Sequence, residues 1–98
     1  MFSYKIFRQG GNTLLAVADL SILGKNLKED DLEIDVSKDF YGGETCSEDE
    51  IKRLIKSATI INALGKSIIS LLLDEKIVDK ENILYIAGVP HAQVISVL

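Results

Sequence analysis

The chain is poor in the residues that staple, kink or interrupt a fold. It has one cysteine in 98 residues, Cys46. No intrachain disulfide can form, and the disulfide-stapled secreted scaffolds are excluded. One proline and seven glycines are spread along it, with no low-complexity tract, internal repeat or linker. A cationic excess is also missing: eleven Lys and Arg stand against fifteen Asp and Glu, a formal charge of −4. Phosphate backbones attract proteins through Lys and Arg, so no general nucleic-acid affinity is expected. Lys5, Arg8, Lys25 and Lys28 are followed by Glu29, Asp30, Asp31, Glu33 and Asp35. Lys52, Arg53 and Lys56 follow Glu48, Asp49 and Glu50 by one turn, as helix-surface pairs do. No apolar run is long enough to span a bilayer, since Ala58 to Leu73 is short and holds Lys66 near its middle. Met1 to Gly11 carries no apolar core of a secretory signal. The expected compartment is the cytoplasm.

What is present is globular. The apolar fraction is 47% and the charged fraction 27%, and the length suits one domain over residues 1–98. Phe2 to Arg8 and Thr13 to Ala18 have strand composition. Gln9-Gly10-Gly11-Asn12 between them predicts a β-hairpin. Asp19 to Leu23 suits a single helical turn stopped by Gly24. Leu32, Ile34 and Val36 alternate with Glu33 and Asp35, a strand with one buried face. Ser37 to Cys46 reads as a loop. Ser47-Glu48-Asp49-Glu50 is a capping box, and Ile51, Leu54, Ile55 and Ala58 form one apolar helical stripe. The helical pattern runs on to about Lys76, with a break near Ser57 to Thr59. Its second part, from Ile60 to Leu73, is apolar nearly all round, which predicts a central helix or an oligomer interface. Asp79 to Asn82 is a turn, Ile83 to Ala87 a strand, and Gln93 to Leu98 extended again. The fold class is α+β: an N-terminal β-hairpin and further strands in a mixed or antiparallel sheet, packed on a helical block over about residues 47–76.

Several residues carry chemistry worth weighing. Gly65-Lys66-Ser67 matches the end of a phosphate-binding loop, but that motif needs an earlier glycine where Ile60 stands. The segment reads as mid-helix, not as a nucleotide site. Cys46 and His91 could act as nucleophile and base only if the fold joined them, and no third group is evident. No metal site is expected, because zinc needs more Cys and His than the chain has. The acidic run Glu29 to Asp31 reads as a solvated loop, and no cofactor is expected.

Two segments resist a purely structural reading. Phe40-Tyr41-Gly42-Gly43 sets aromatics beside flexible glycines, which suits either a sharp turn or contact with a flat ligand. In Gly88-Val89-Pro90-His91-Ala92-Gln93, Pro90 fixes a rigid corner that presents His91 and Gln93. Imidazole and amide groups together read hydrogen-bonding edges. The plain alternative is a bend with a satisfied histidine.

Tyr4-Lys5-Ile6-Phe7-Arg8-Gln9-Gly10-Gly11, Leu23-Gly24-Lys25, Phe40-Tyr41-Gly42-Gly43-Glu44 and Gly88-Val89-Pro90-His91-Ala92-Gln93 occur in that order. Together they resemble the archaeal domain-of-unknown-function family numbered four hundred and twenty-four, over nearly the whole chain. The resemblance implies a small archaeal cytoplasmic protein with no assigned activity, in the company of the translation apparatus.

The leading expectation is a non-catalytic cytoplasmic binding module, its partner a protein or RNA. Its site would join the Tyr41 loop, with Gly42 and Gly43, to the corner of Pro90, His91 and Gln93, with Arg8 and Gln9 as neighbours. One alternative is a small hydrolase or transferase using His91 as general base, helped by Glu44. Another is a structural homodimer built on an Ile60 to Leu73 helix.

Overall fold

The computed structural model describes residues 1–95. Strand β1 (Phe2–Gln9) and strand β2 (Asn12–Asp19) pair antiparallel over their full length, from Phe2 opposite Asp19 to Gln9 opposite Asn12. Gly10, at φ 59°, supplies the positive φ that so short a hairpin loop requires. One 3-10 turn over Leu20–Ile22 leads to Gly24, whose φ is 90°. A small second hairpin follows, β3 (Asn26–Glu29) with β4 (Leu32–Asp35). Helix α1 (Lys38–Tyr41) is a single turn, its Ser37 side chain accepting from Phe40 N. Short strand β5 (Glu44–Cys46) precedes helix α2 (Glu48–Ser57), whose Ser47 cap accepts from Glu50 N.

The next segment departs from its expected helix. Ile60–Leu64 is strand β6, and only Lys66–Asp74 forms the following helix, α3. The expected block over residues 47–76 is therefore helix, strand and helix. A continuous apolar run has no period that separates a buried strand from a buried helix. The residues at its ends decide the matter. Thr59 Oγ1 accepts from Thr13 N at 2.9 Å and starts the pairing with β2. Gly65, at φ 130°, ends it in a conformation that side chains disfavour. After a 3-10 turn over Lys80–Asn82, β7 (Leu84–Ile86) and β8 (Val89–Ile95) form the last hairpin. Its turn lies at Ala87 and Gly88, with φ 51° and 79°. Pro90 and His91 are thus within a strand, not at the predicted corner. Of the extended stretch expected to Leu98, residues 96–98 lie outside the described residues.

The main sheet has the order β5-β1-β2-β6-β8-β7. Among the described residues, only β2 and β6 run parallel; the other neighbours are antiparallel. The fold is a mixed-sheet α+β domain. One face carries α2 and α3, and its core joins Phe2, Leu15, Val17 and Ile61 to Ile51, Ile55, Ile68 and Leu72. The other face carries α1 and the β3–β4 hairpin, with Ala16, Ala18, Leu64 and Ile86 packed against Leu27, Val36 and Tyr41. Ile61, Ala63, Leu64, Ile68, Ile69, Leu71 and Leu72 are buried within one copy, and Ile60–Leu64 is a strand, so there is no continuous Ile60 to Leu73 helix to serve as an interface. Among the described residues, no helix is long and apolar enough to cross a membrane.

The junction of β6 and α3 explains Gly65-Lys66-Ser67. Gly65 does stand between a strand and a helix, not in mid-helix. The anion position at that helix start is filled by the protein itself. Asp19 Oδ2 accepts from Ser67 N and Asp19 Oδ1 from Ile68 N, each at 2.9 Å. A Cβ on Gly65 would overlap this carboxylate. Asp19 caps α3 from another strand and leaves no room for phosphate.

Candidate functional site

The face opposite the helices is only partly covered, and a polar group of three strands and one helical turn sits there. Alternation along β1 turns Ser3, Lys5 and Phe7 toward this face. Ser3 Oγ donates to the Tyr41 carbonyl at 2.7 Å, and Lys5 Nζ donates to the Asp39 carbonyl at 3.0 Å. Phe40 stacks on Phe7 at 5.4 Å and meets Tyr41 edge-on at 4.8 Å. Gly42 lets the chain leave the α1 turn closely, since a Cβ there would press on the Lys38 backbone. These contacts fix α1 over β1 and aim the Tyr41 ring across the sheet. Beneath it, β2 contributes only Ala16 and Ala18.

Tyr41 reaches β6. Its hydroxyl donates to Asn62 Oδ1 at 2.6 Å, and His91 Nε2 on β8 lies 3.1 Å from the same oxygen. Burial pushes the Tyr41 phenol up to about 12, so it stays a donor near neutrality. Burial also lowers the His91 imidazole from its ordinary value, which favours the neutral ring. An amide oxygen can only accept, so His91 carries its proton on Nε2 and keeps Nδ1 as an acceptor. No buried side-chain nitrogen or oxygen lacks a partner among the described residues. The Asn62 amide nitrogen, which has no protein partner there, is therefore not sealed from solvent. Gln93, exposed, stands directly across from Asn62 in the β6–β8 register. The result is a held pair, amide donor and imidazole acceptor, with the exposed Gln93 amide beside it.

The Tyr41 and His91 segments thus meet through Asn62, a residue that the sequence reading passed over. Its signal was present: Asn62 is the lone polar residue between Ile60-Ile61 and Ala63-Leu64. The other named residues scatter. Gln9 is on the same face, beside Phe7, Asn12, Leu14 and Ile60 around a shallow hollow of about 240 Å³. Arg8 alternates to the helix face. Pro90 is buried there, its carbonyl accepting from Gly65 N at 2.9 Å. Gly42 and Gly43 border a separate cleft of about 760 Å³ with Tyr4, Lys38 and Glu44, near the β5 edge.

Glu44 cannot assist His91. It pairs with Tyr4 on β5, and strands β1, β2 and β6 intervene, a span of about 19 Å at ~4.8 Å per strand. Cys46 is equally remote and buried, and burial pushes its thiol up, away from the reactive thiolate. Among the described residues, no group of three or more His, Cys, Asp and Glu side chains could hold a metal ion. Glu29, from the acidic run, accepts from Ala87 N at 2.8 Å and ties the two later hairpins together.

Comparison with known proteins adds a family. The family described as "Protein of unknown function (DUF424)" matches residues 7–97. The crystal structure of an uncharacterized conserved protein from Methanopyrus kandleri is similar, with a TM-score of 0.78 at 26% identity. The match covers 99% of this chain and 94% of that one. Among curated proteins, none matches.

Proposed function

The chain belongs to this family of proteins of unknown function, and from that premise we propose that it is a non-catalytic binding module. It acts in the cytoplasm and engages a protein partner through the face around Asn62, His91 and Gln93. The observation that carries this reading is the Asn62 oxygen, which accepts from both Tyr41 and His91. Two neutral donors lock the amide, and the locked amide in turn holds the imidazole. The groups left over, an N–H donor beside a ring acceptor, match the edge of a peptide or side-chain amide. Because the Asn62 amide and the His91 ring are both pre-oriented, they lose little side-chain entropy on binding.

The neighbouring surface supports a protein partner over RNA. Leu14, Ile60 and Phe7 are half-buried around the pair, and Ile95 is exposed beside it. Lys5, the cation of β1 on this face, is already held by the Asp39 carbonyl and lies over the Phe7 ring at 5.3 Å. General-base catalysis by His91 has less support, since its Nε2 faces an amide and Glu44 is distant. Affinity capture from native cells, with and without nuclease, tests the reading. Partners that survive nuclease and are lost with Asn62→Leu/Gln93→Ala support it. Partners recovered only without nuclease would assign the face to RNA and the translation apparatus instead.

A further inference from the structure

Strand β8 is longer than the strand that covers its outer side. Strand β7 pairs with it only from Val89 to His91, while β8 runs to Ile95 with β6 on its inner side from His91 onward. The bond from Gly65 N to the Pro90 carbonyl sets the alternation. Pro90, Ala92 and Val94 turn their backbone groups inward to β6, whereas His91, Gln93 and Ile95 turn outward. Leu84 meets His91. Gln93 and Ile95 have no strand opposite them among the described residues.

Open edges of this kind are usually blunted by lysine, proline or a bulge. On the other side of the sheet, β1 runs past β5 in the same way, and there Lys5 and Arg8 guard it. The β8 edge has no such charge. Leu84 and Ile95 flank it, at 65% and 63% exposure. A slot of about 440 Å³ lies along residues 91–95, its outer wall built from Ile77, Val78, Asp79 and Asn82. Hydrogen-bonding backbone on one side and apolar side chains on the other are what an added strand needs.

We propose that this slot takes an extended segment of a partner protein as a further strand on β8. The segment bonds to the backbone of Gln93 and Ile95 and lays an apolar side chain against Ile77 and Val78. A basic side chain lies next to Asp79, the charged group of the slot. The inference rests on the binding-module reading and names its partner as an extended, apolar and basic peptide.

The test uses three synthetic peptides and the 15N-labelled full chain. One peptide alternates valine and threonine with a lysine at its end; the second replaces that lysine by glutamate. The third is the lysine peptide methylated on alternate backbone nitrogens. The lysine peptide is expected to shift the amide signals of Gln93 and Ile95 and slow their hydrogen exchange. The glutamate peptide is expected to bind about fivefold more weakly at low salt. The methylated peptide should not bind. Gln93→Pro, which removes an outward N–H and leaves the β6 side intact, should abolish the response. Three results would overturn the proposal: no response to any peptide, binding indifferent to methylation, or edge amides already protected by a second copy. Shifts confined to the Asn62 and His91 side chains would overturn the added strand yet leave the binding face standing. Failure of the unaltered protein to capture any nuclease-resistant partner, or capture that persists in Asn62→Leu/Gln93→Ala, would remove the face itself.

Discussion

The two faces of the sheet differ in how completely they are covered. On the helix face, α2 and α3 close a core in which Ile51, Ile68 and Leu72 are fully buried. On the other face, α1 and the β3–β4 hairpin close only the half around Ala18, Leu64 and Val36. The remaining half holds Asn62, His91 and Gln93 among half-buried apolar residues. One face accounts for stability, and the other keeps polar groups fixed and within reach. The same mutation type should therefore give different outcomes on the two sides.

The largest expected effect lies on the helix face. Leu72→Ala should lower unfolding free energy by ~2–5 kcal/mol, read from urea denaturation, because a sealed core cannot collapse around the cavity. An equal loss from Ile95→Ala, on the open face, would erase the distinction. Asp19→Ala comes next, at about 2 kcal/mol, since two backbone N–H groups at the start of α3 lose their acceptor. A thermal melt by circular dichroism reads it. Asp19→Asn, which keeps one oxygen, should recover part of the loss.

Tyr41→Phe removes one of the two donors to Asn62 and should cost about 1 kcal/mol. Its more telling consequence is a looser Asn62 side chain, visible as a change in the amide-group signals of Asn62 by NMR. The pH dependence is smaller. His91 has its pKa lowered by burial from 6.5. Between that lowered value and 6.5 the unfolded chain binds a proton that the folded chain refuses. Stability should be undiminished above 6.5 and should fall as the pH drops through this window. In His91→Gln that component of the slope should vanish; an unchanged slope would mean that His91 is as solvated folded as unfolded. Smallest of all, Gln93→Ala should leave stability within about 0.5 kcal/mol, while partner capture falls.

Sequence reading served the two faces unequally. The first hairpin, Gly24, the α2 cap and the apolar stripe of Ile51 and Ile55 rest on contacts within a few residues, and they were legible. Strand β3 was not read, because Asn26 to Glu29 holds just one buried apolar residue, Leu27. The run from Ile60 to Leu73 was misassigned, since strand and helix there are equally apolar. Of the site, Tyr41, His91 and Gln93 were named from residue type, but Asn62, which joins them, was hidden in that misassigned run. Pro90 looked like a corner because proline usually interrupts strands. Here its missing N–H falls at the Pro90–Gly65 pair, where its carbonyl alone accepts.

Residue order alone determined the compartment of chemistry open to this protein: an acidic, disulfide-free α+β domain with local turns and caps written by Gly10, Ser47 and Gly24. Those features act over one turn of chain, so neighbours in sequence suffice to specify them. Tertiary structure alone decided that Asp19 fills the start of α3, that Asn62 unites Tyr41 with His91, and that β8 outruns β7. Each of these depends on which strands lie side by side, a choice made by burial across the whole sheet.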